Sequence, residues 1–402
     1  MSVNTVFDPE AFIEKQADEI KKIMGSKKAL IACSGGVDST VCAGLAHLAV
    51  GNNLVCIFID TGFMRIGEPE EVIRTLREEP LRLPIRLVRA RDRFLRNMKG
   101  LGDAEEKRKI FRDTFYSVLG ETAKKEKCET LIQGTILPDI IETTKGIKTQ
   151  HNILEQMKIN PVKVYGFKVV EPLATLYKFQ VREVAKTLGM PIDASMRQPF
   201  PGPGLSVRVV GKISSSKLET EKKATQIVEE KISLDLSKQY LAATIDDAKV
   251  DYPEALQVEN RLQTLIGKKE STVRVYRLHD RATGIKKGER QYGNILLVDT
   301  TRNDGKCLQL SSKMFDEVQK TVIGIDDSVS RVLYKISDLS RKGKWIVSVR
   351  AVDTLDFVTA TVSIIPWKTL QEIGRSIMDS CPHVTGVYYD LTPKPPSSIE
   401  FE

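Results

Sequence analysis

Residues 28–40 read Lys28-Ala29-Leu30-Ile31-Ala32-Cys33-Ser34-Gly35-Gly36-Val37-Asp38-Ser39-Thr40, and they are followed by the apolar run Val41-Cys42-Ala43-Gly44-Leu45-Ala46. The run 29–33 has the length and composition of a strand buried on both faces, as strands of parallel sheets are. The run after Thr40 has the length of a helix start. Between them, two glycines let the backbone turn sharply and come close to a ligand with no Cβ in the way. The amides of such a turn and of the first helical residues face one point, where the helix dipole favours an anion. Ser34 and Ser39 add hydroxyl donors, and Asp38 can hold a metal ion against phosphates. The stretch reads as a phosphate cradle. It is neither the G-x-x-x-x-G-K-[ST] loop nor the G-x-G-x-x-G dinucleotide turn.

Working outward, residues 9–24 place Phe12, Ile13, Ala17, Ile20 and Ile23 at helical spacing ahead of the first strand. Downstream, Leu54-Val55-Cys56-Ile57-Phe58-Ile59 is a second buried strand that ends in Asp60-Thr61-Gly62. A helix over 69–76 leads to the strand 85–88, which is followed by Asp92. A long helix over 103–125 leads to the strand 130–132 with Gln133-Gly134-Thr135, and Val169-Val170 with Glu171-Pro172-Leu173 makes a fifth. Strands alternating with helices predict β-α-β units and a parallel sheet. Ligands of such sheets lie outside the carboxyl ends of the strands, so Asp38, Asp60, Asp92 and Gln133 are expected to converge. The stretch around 140–165 has no clear periodicity and carries Lys148 and His151, which predicts a lid over the site. Arg197-Gln198-Pro199-Phe200-Pro201-Gly202-Pro203-Gly204-Leu205 excludes helix and central strand. It reads as a rigid domain linker or as a preformed wall of the site.

Beyond about residue 210 the chain carries a weak internal repeat. The strand 292–300, the helix 314–323 and the strand 328–336 recur as the strand 345–354, the helix 367–378 and the strand 383–391. We read two copies of a unit of antiparallel strands with a helix on one face. The end, Pro393-Lys394-Pro395-Pro396-Ser397-Ser398-Ile399-Glu400-Phe401-Glu402, has prolines and apolar residues that predict a docked tail. The organisation expected is α/β: a parallel-sheet domain over 1–206 with its lid, then an α+β C-terminal domain of two tandem repeats. The first repeat with a linker helix spans 207–340, and the second with the tail spans 341–402.

The composition, with 41% hydrophobic and 28% charged residues over a length of 402, is that of a globular protein of two or three domains. There is no run of roughly eighteen apolar residues, so no spanning helix is expected, and no secretion signal is read at the start. Six cysteines without a C-x-x-C pair and four dispersed histidines point to a reducing, cytoplasmic setting with neither disulfides nor a zinc site. The formal charge of +8 is spread over mixed stretches such as Glu105-Glu106-Lys107-Arg108-Lys109. It therefore reads as a solvated surface rather than a nucleic-acid interface, with anionic small substrates taking the remainder.

SGGVDS between a strand and a helix resembles the signature of the ATP pyrophosphatases, which cleave ATP between the α- and β-phosphates. Together with IDTG, EEKRKIF, the QGT and EPL strand ends, RQPFPGPGL and KPPSSIEFE, the chain resembles the GMP synthetase family along nearly its whole length. The likeness is to its ATP-pyrophosphatase (adenine nucleotide α-hydrolase-like) subunit, in the two-subunit type. The resemblance implies that xanthosine 5′-monophosphate (XMP) attacks the α-phosphate of ATP to give an adenyl-XMP intermediate. Ammonia then displaces AMP to give GMP. It implies ATP contacts at Ser34, Gly35, Gly36, Val37, Asp38, Ser39, Phe58, Asp60 and Gly134, with Mg2+ on Asp38. It implies a charge-neutralising role for Lys148 on the lid, and XMP contacts at Arg108, Arg197, Lys394 and Glu400. No G-x-C-x-G nucleophile of a glutaminase occurs, so ammonia would come from solution or from a separate glutamine amidotransferase subunit.

The sequence departs from the family pattern at Gln150, Leu137 and Gln198, and at Gly386, where an arginine is usual before V-x-Y-D. That arginine stands in the first repeat, as Arg331. The tandem repeat resembles the longer arrangement, in which the first copy packs on the second and replaces homodimerisation. Two other readings are carried: a tRNA-thiolating pyrophosphatase, which would need a cysteine relay, and a catalytically weakened nucleotide-binding protein.

Overall fold

The computed structural model describes residues 7–144, 161–190, 200–267, 271–354 and 358–402. Lys148, His151, Arg197, Gln198 and most of the expected lid lie outside the described residues. The chain divides into two compact units, one of residues 1–97 and 108–197, the other of residues 98–107 and 198–402.

In the first unit, helix α1 (Pro9–Met24) begins at Asp8, whose side chain accepts from the Glu10 and Ala11 amides at 3.0 and 3.1 Å. Next come β1 (Lys28–Ala32), α2 (Val37–Val50), β2 (Leu54–Asp60), α3 (Glu68–Arg77) and β3 (Ile85–Arg89). Then follow α4 (Arg91–Met98), α5 (Ala104–Glu126), β4 (Cys128–Ile132), α6 (Leu137–Thr144), α7 (Pro161–Tyr165), β5 (Lys168–Val170) and α8 (Lys178–Thr187). The five strands form one sheet in the order β3-β2-β1-β4-β5, every pairing parallel. Ala29, Leu30, Ile31, Cys56, Ile57 and Phe58 are all buried, as expected of strands covered on both faces. The chain runs β1 to β2 to β3 on one side and places β4 on the other side of β1. The sheet therefore has its switch point between β1 and β4, where a ligand crevice opens.

The second unit holds α9 (Ser215–Lys231), β6 (Gln239–Asp246), β7 (Lys249–Val250), α10 (Ala255–Ile266), β8 (Ser271–Lys286) and β9 (Glu289–Arg302). It continues with α11 (Ser312–Ile325), β10 (Val329–Lys335), β11 (Trp345–Asp353), β12 (Thr361–Val362), α12 (Trp367–Ser380) and β13 (Val384–Asp390). Strands β8 and β9 form a hairpin through Lys287 and Gly288, both at positive φ (53° and 82°). This is the two-residue turn that matches strand twist. The sheet runs β12-β11-β13-β10-β9-β8-β7, with β6 on β11. Within each expected repeat the strands are parallel, β9 with β10 and β11 with β13, which corrects the antiparallel expectation. A helix of 14 residues joins each pair, and a crossover helix returns the chain to the same end of the sheet. Antiparallel pairing occurs where the two pieces meet, between β10 and β13.

Residues 204–210 are not a solvated linker. Leu205, Val207, Val209 and Val210 are buried. The Val210 amide donates to the Thr244 carbonyl, and the Thr244 amide donates to the Arg208 carbonyl, each at 2.9 Å. The tail is docked as well: Phe401 is fully buried, and its carbonyl accepts from the Thr283 amide at 2.7 Å.

Candidate active site

The loop after β1 is fixed by its own hydroxyls. The Ser34 amide donates to Ser39 Oγ at 3.1 Å, Ser39 Oγ donates to the Gly36 carbonyl at 3.0 Å, and the Gly36 amide donates to Ser34 Oγ at 3.3 Å. Gly35 sits at φ +81°, and a Cβ there would stand 2.6 Å from Val72 Cγ2 of α3. Both facts demand glycine. Gly134, at the end of β4, lies so close to the start of α2 that a Cβ would come within 3.0 Å of the Asp38 carbonyl and the Ser39 amide. The loop and the β4 end thus form one wall at the switch point. This brings Ser34, Gly35, Gly36, Val37, Asp38, Ser39 and Gly134 together.

Neighbouring strand ends complete the crevice. Asp60 Oδ1 accepts from the Gly62 amide at 2.9 Å, which holds the β2 end in its turn. Gln133 is buried and donates to Thr135 Oγ1 and to Glu171 Oε1, both at 3.2 Å, and Thr135 donates to the same Glu171 oxygen at 2.5 Å. Gln133 therefore orders the β4 and β5 ends rather than facing solvent. Asp92 lies exposed in the first turn of α4. The Phe58 side chain is fully buried in β2 and serves the core. Arg108 is buried within α5.

Asp38 carries the metal question. Its Oδ1 is buried with no hydrogen-bond partner, while its Oδ2 accepts from the Lys178 ammonium at 2.5 Å. An unsatisfied hard carboxylate oxygen beside a phosphate cradle fits Mg2+, which is held by one or two carboxylates and substrate phosphates rather than by a protein cage. Lys178 is a residue that the sequence reading misses. It opens α8 a few residues after the Glu171-Pro172-Leu173 strand end, and that position is the signal that could have found it.

All six cysteines are buried. Hydrogen bonding to Cys56 and burial push the Cys33 thiol up, and burial together with the Glu171 and Asp38 carboxylates pushes up Cys42. Thiols held protonated beside the loop are poor nucleophiles.

In the second unit the tail is held by three arginines. Arg331 and Arg350 both donate to Asp390 Oδ2, at 3.0 and 2.7 Å. Arg331 also donates to Ser398 Oγ at 3.0 Å and to the Glu400 carbonyl at 2.7 Å, and Arg350 donates to Ser397 Oγ at 2.8 Å. Arg331 is fully buried, so it anchors the tail and does not face a ligand. Glu400 receives a two-pronged contact from Arg208, and Lys394 exchanges backbone hydrogen bonds with Ala360 at 2.9 and 3.0 Å.

Residues 338–401 match the family model of the GMP synthase C-terminal domain. The chain is 41% identical over 397 residues to the B-type subunit of the glutamine-hydrolyzing GMP synthase of Sulfurisphaera tokodaii, covering 98% of this chain and 100% of that one. It is 38% identical over 397 residues to the corresponding GMP synthase subunit of Methanopyrus kandleri, covering 99% and 100%. Among solved structures, the NH3-dependent NAD synthetase of Campylobacter jejuni matches at 18% identity with a TM-score of 0.36, covering 47% of this chain and 77% of that one. With relatives of this identity matched along their entire length, the chain belongs to the GMP synthase family, as the synthetase member of its two-subunit type.

Proposed function

We propose that this chain is the synthetase subunit of a two-subunit GMP synthase, which aminates XMP at the expense of ATP through an adenyl-XMP intermediate. The identity of 41% to a GMP synthase subunit over that protein's full length carries the reading. The loop geometry supports it chemically. Forming an adenylate needs little proton transfer and much stabilisation of phosphate charge, which converging amides, hydroxyls and a cation supply. Ser34–Ser39 would cradle the pyrophosphate of ATP, and Asp38 would hold Mg2+, which supplies Lewis-acid stabilisation of the phosphate oxygens when bound. Lys148 would neutralise charge at the α-phosphate. Arg108, Arg197, Lys394 and Glu400 would take XMP, the cations its phosphate monoester and the carboxylate its N–H or O–H donors. Ammonia would come from a separate glutamine amidotransferase subunit or from solution.

The thiolating alternative loses ground on the cysteines. Cys128 and Cys381 are pushed up to about 11 and Cys307 to about 12, each chiefly by burial, and no accessible thiolate is offered to relay sulfur.

The test is turnover of the isolated chain with XMP, Mg·ATP and ammonium chloride. GMP, AMP and pyrophosphate are expected in equal amounts, and only when XMP is present. Pyrophosphate released without GMP would count against the amination. Lys394→Ala should raise KM for XMP and leave KM for ATP largely unchanged; equal losses would remove the tail from the acceptor site.

A further inference from the structure

Phe200 of the proline-glycine string and Glu400 of the KPPSSIEFE tail are linked in the second unit by one arginine. Arg208 is 2% exposed, and its Nε and Nη2 donate to the two oxygens of Glu400, each at 2.9 Å. Its guanidinium lies over the Phe200 ring at 5.1 Å. Its carbonyl accepts from the Thr244 amide of β6 at 2.9 Å, so the backbone beneath the fork is fixed. Glu400 is equally constrained: its carbonyl takes the Arg331 hydrogen bond, and the next residue, Phe401, is buried. Yet the Glu400 side chain remains 25% exposed. Arg208 cannot reach a ligand; Glu400 can.

The energetics give this arrangement little net worth to the fold. A buried guanidinium carries a desolvation cost that a single carboxylate partner seldom outweighs, and an apolar replacement is often neutral or stabilising. Here Arg208 Nη1 is also buried with no partner, a further cost. A two-pronged fork does one thing that a lysine or an apolar residue cannot: it sets the plane of a carboxylate. Each carboxylate oxygen has a second lone pair, so Glu400 can still accept from a ligand while the fork holds it.

We infer that Arg208 is a positioning residue for the acceptor nucleotide: it aims the Glu400 carboxylate at an N–H or O–H donor of a purine nucleoside monophosphate. The inference rests on the acceptor reading proposed above. Arg208 acts only through Glu400.

The experiment measures KM for XMP and for ATP separately. Arg208→Lys keeps the charge and removes the fork, and is expected to raise KM for XMP about tenfold or more while KM for ATP moves less than about twofold. Glu400→Asp withdraws the carboxylate from the other, partly exposed side and should give the same split. The double variant should be little worse than either single one, because both break the same contact. If Arg208→Lys fails to fold, Glu400→Asp and Phe200→Leu, which loosens the stacked guanidinium, carry the same expectation. Wild-type XMP kinetics in Arg208→Lys, equal rises in both KM values, or losses that multiply in the double variant would overturn the inference. Wild-type turnover to GMP combined with an unchanged KM for XMP in Glu400→Gln would overturn it too, while leaving GMP synthesis standing. No wild-type turnover at all would remove the functional reading and this inference together.

Discussion

At the scale of single residues, the proposed ATP cradle turns on one aspartate with two unlike oxygens. Asp38 Oδ1 is buried and unpartnered, and Oδ2 is held by Lys178. The Lys178 side chain is 44% exposed, so the pair contributes little to stability. Its value lies in charge placed beside the cradle. Under the proposed function, a half-exposed ammonium at the loop would neutralise the pyrophosphate that departs. Lys178→Gln is therefore expected to weaken binding of inorganic pyrophosphate about tenfold or more, read by calorimetric titration, and to raise KM for ATP. Unchanged pyrophosphate affinity would leave Lys178 as a surface ion pair only. The loop itself was legible in the sequence because its geometry is local: two glycines, two serines and an aspartate within six positions dictate the turn. Lys178 was not, because its contact spans 140 positions and exists only once β5 and α8 are packed. Glu400 was named, but its pairing with Arg208, 192 positions away, was obscured in the same way.

Among the elements, α9 shows what pattern alone misses. Ser214 starts it, its side chain accepting from the Lys217 amide at 3.2 Å. The helix then buries Lys217 and Glu221 alongside Leu218 and Ala224, so its charges do not mark a solvent face. Lys217 donates to Asp246 Oδ1 at 2.7 Å. Glu221 accepts from Thr225 and Thr244 at 2.9 and 2.8 Å. Burial pushes the Glu221 carboxyl up to about 8, against the opposing pull of Thr244, Arg208 and Thr225. The folded chain thus keeps a proton that the unfolded chain releases in the ordinary carboxylate range. Its contribution is complete below that range and is lost as pH rises towards 8, a matter of a few kcal/mol in all. The melting temperature of the wild type is expected to fall between about pH 5 and pH 8, and Glu221→Gln should flatten that slope. Parallel slopes for the two proteins would refute a buried neutral Glu221. The two expected repeat units teach a related lesson. Strand and helix order were readable, but strand direction was not, because apolar runs of this length carry no sign of which neighbour they will pair with.

On the scale of the whole C-terminal sheet, the strands fall into two matching halves about the β10–β13 pair. One side reads β13-β11-β6 and the other β10-β9-β8. In each half the inner pairing is parallel, β11 with β13 and β9 with β10, and the outer one antiparallel, β6 with β11 and β8 with β9. The helices follow suit, with α12 beside α9 and α11 beside α10. We take this as a dimer-like arrangement within one chain. In isolation, one half would expose the β13 or β10 edge, and such edges seek another copy. Here Leu333, Tyr334 and Lys335 cover that edge by pairing with Asp390, Tyr389 and Tyr388. Arg331 of one half and Arg350 of the other then share Asp390, which closes the junction with buried charge. A chain that satisfies this edge internally has no need of a second copy there. Light scattering is therefore expected to give a mass near 45.0 kDa for the isolated chain across the micromolar range. A mass near twice that, with exchange protection on dimerisation mapping to α11, α12 and the β10–β13 junction, would show that the two halves do not replace a partner.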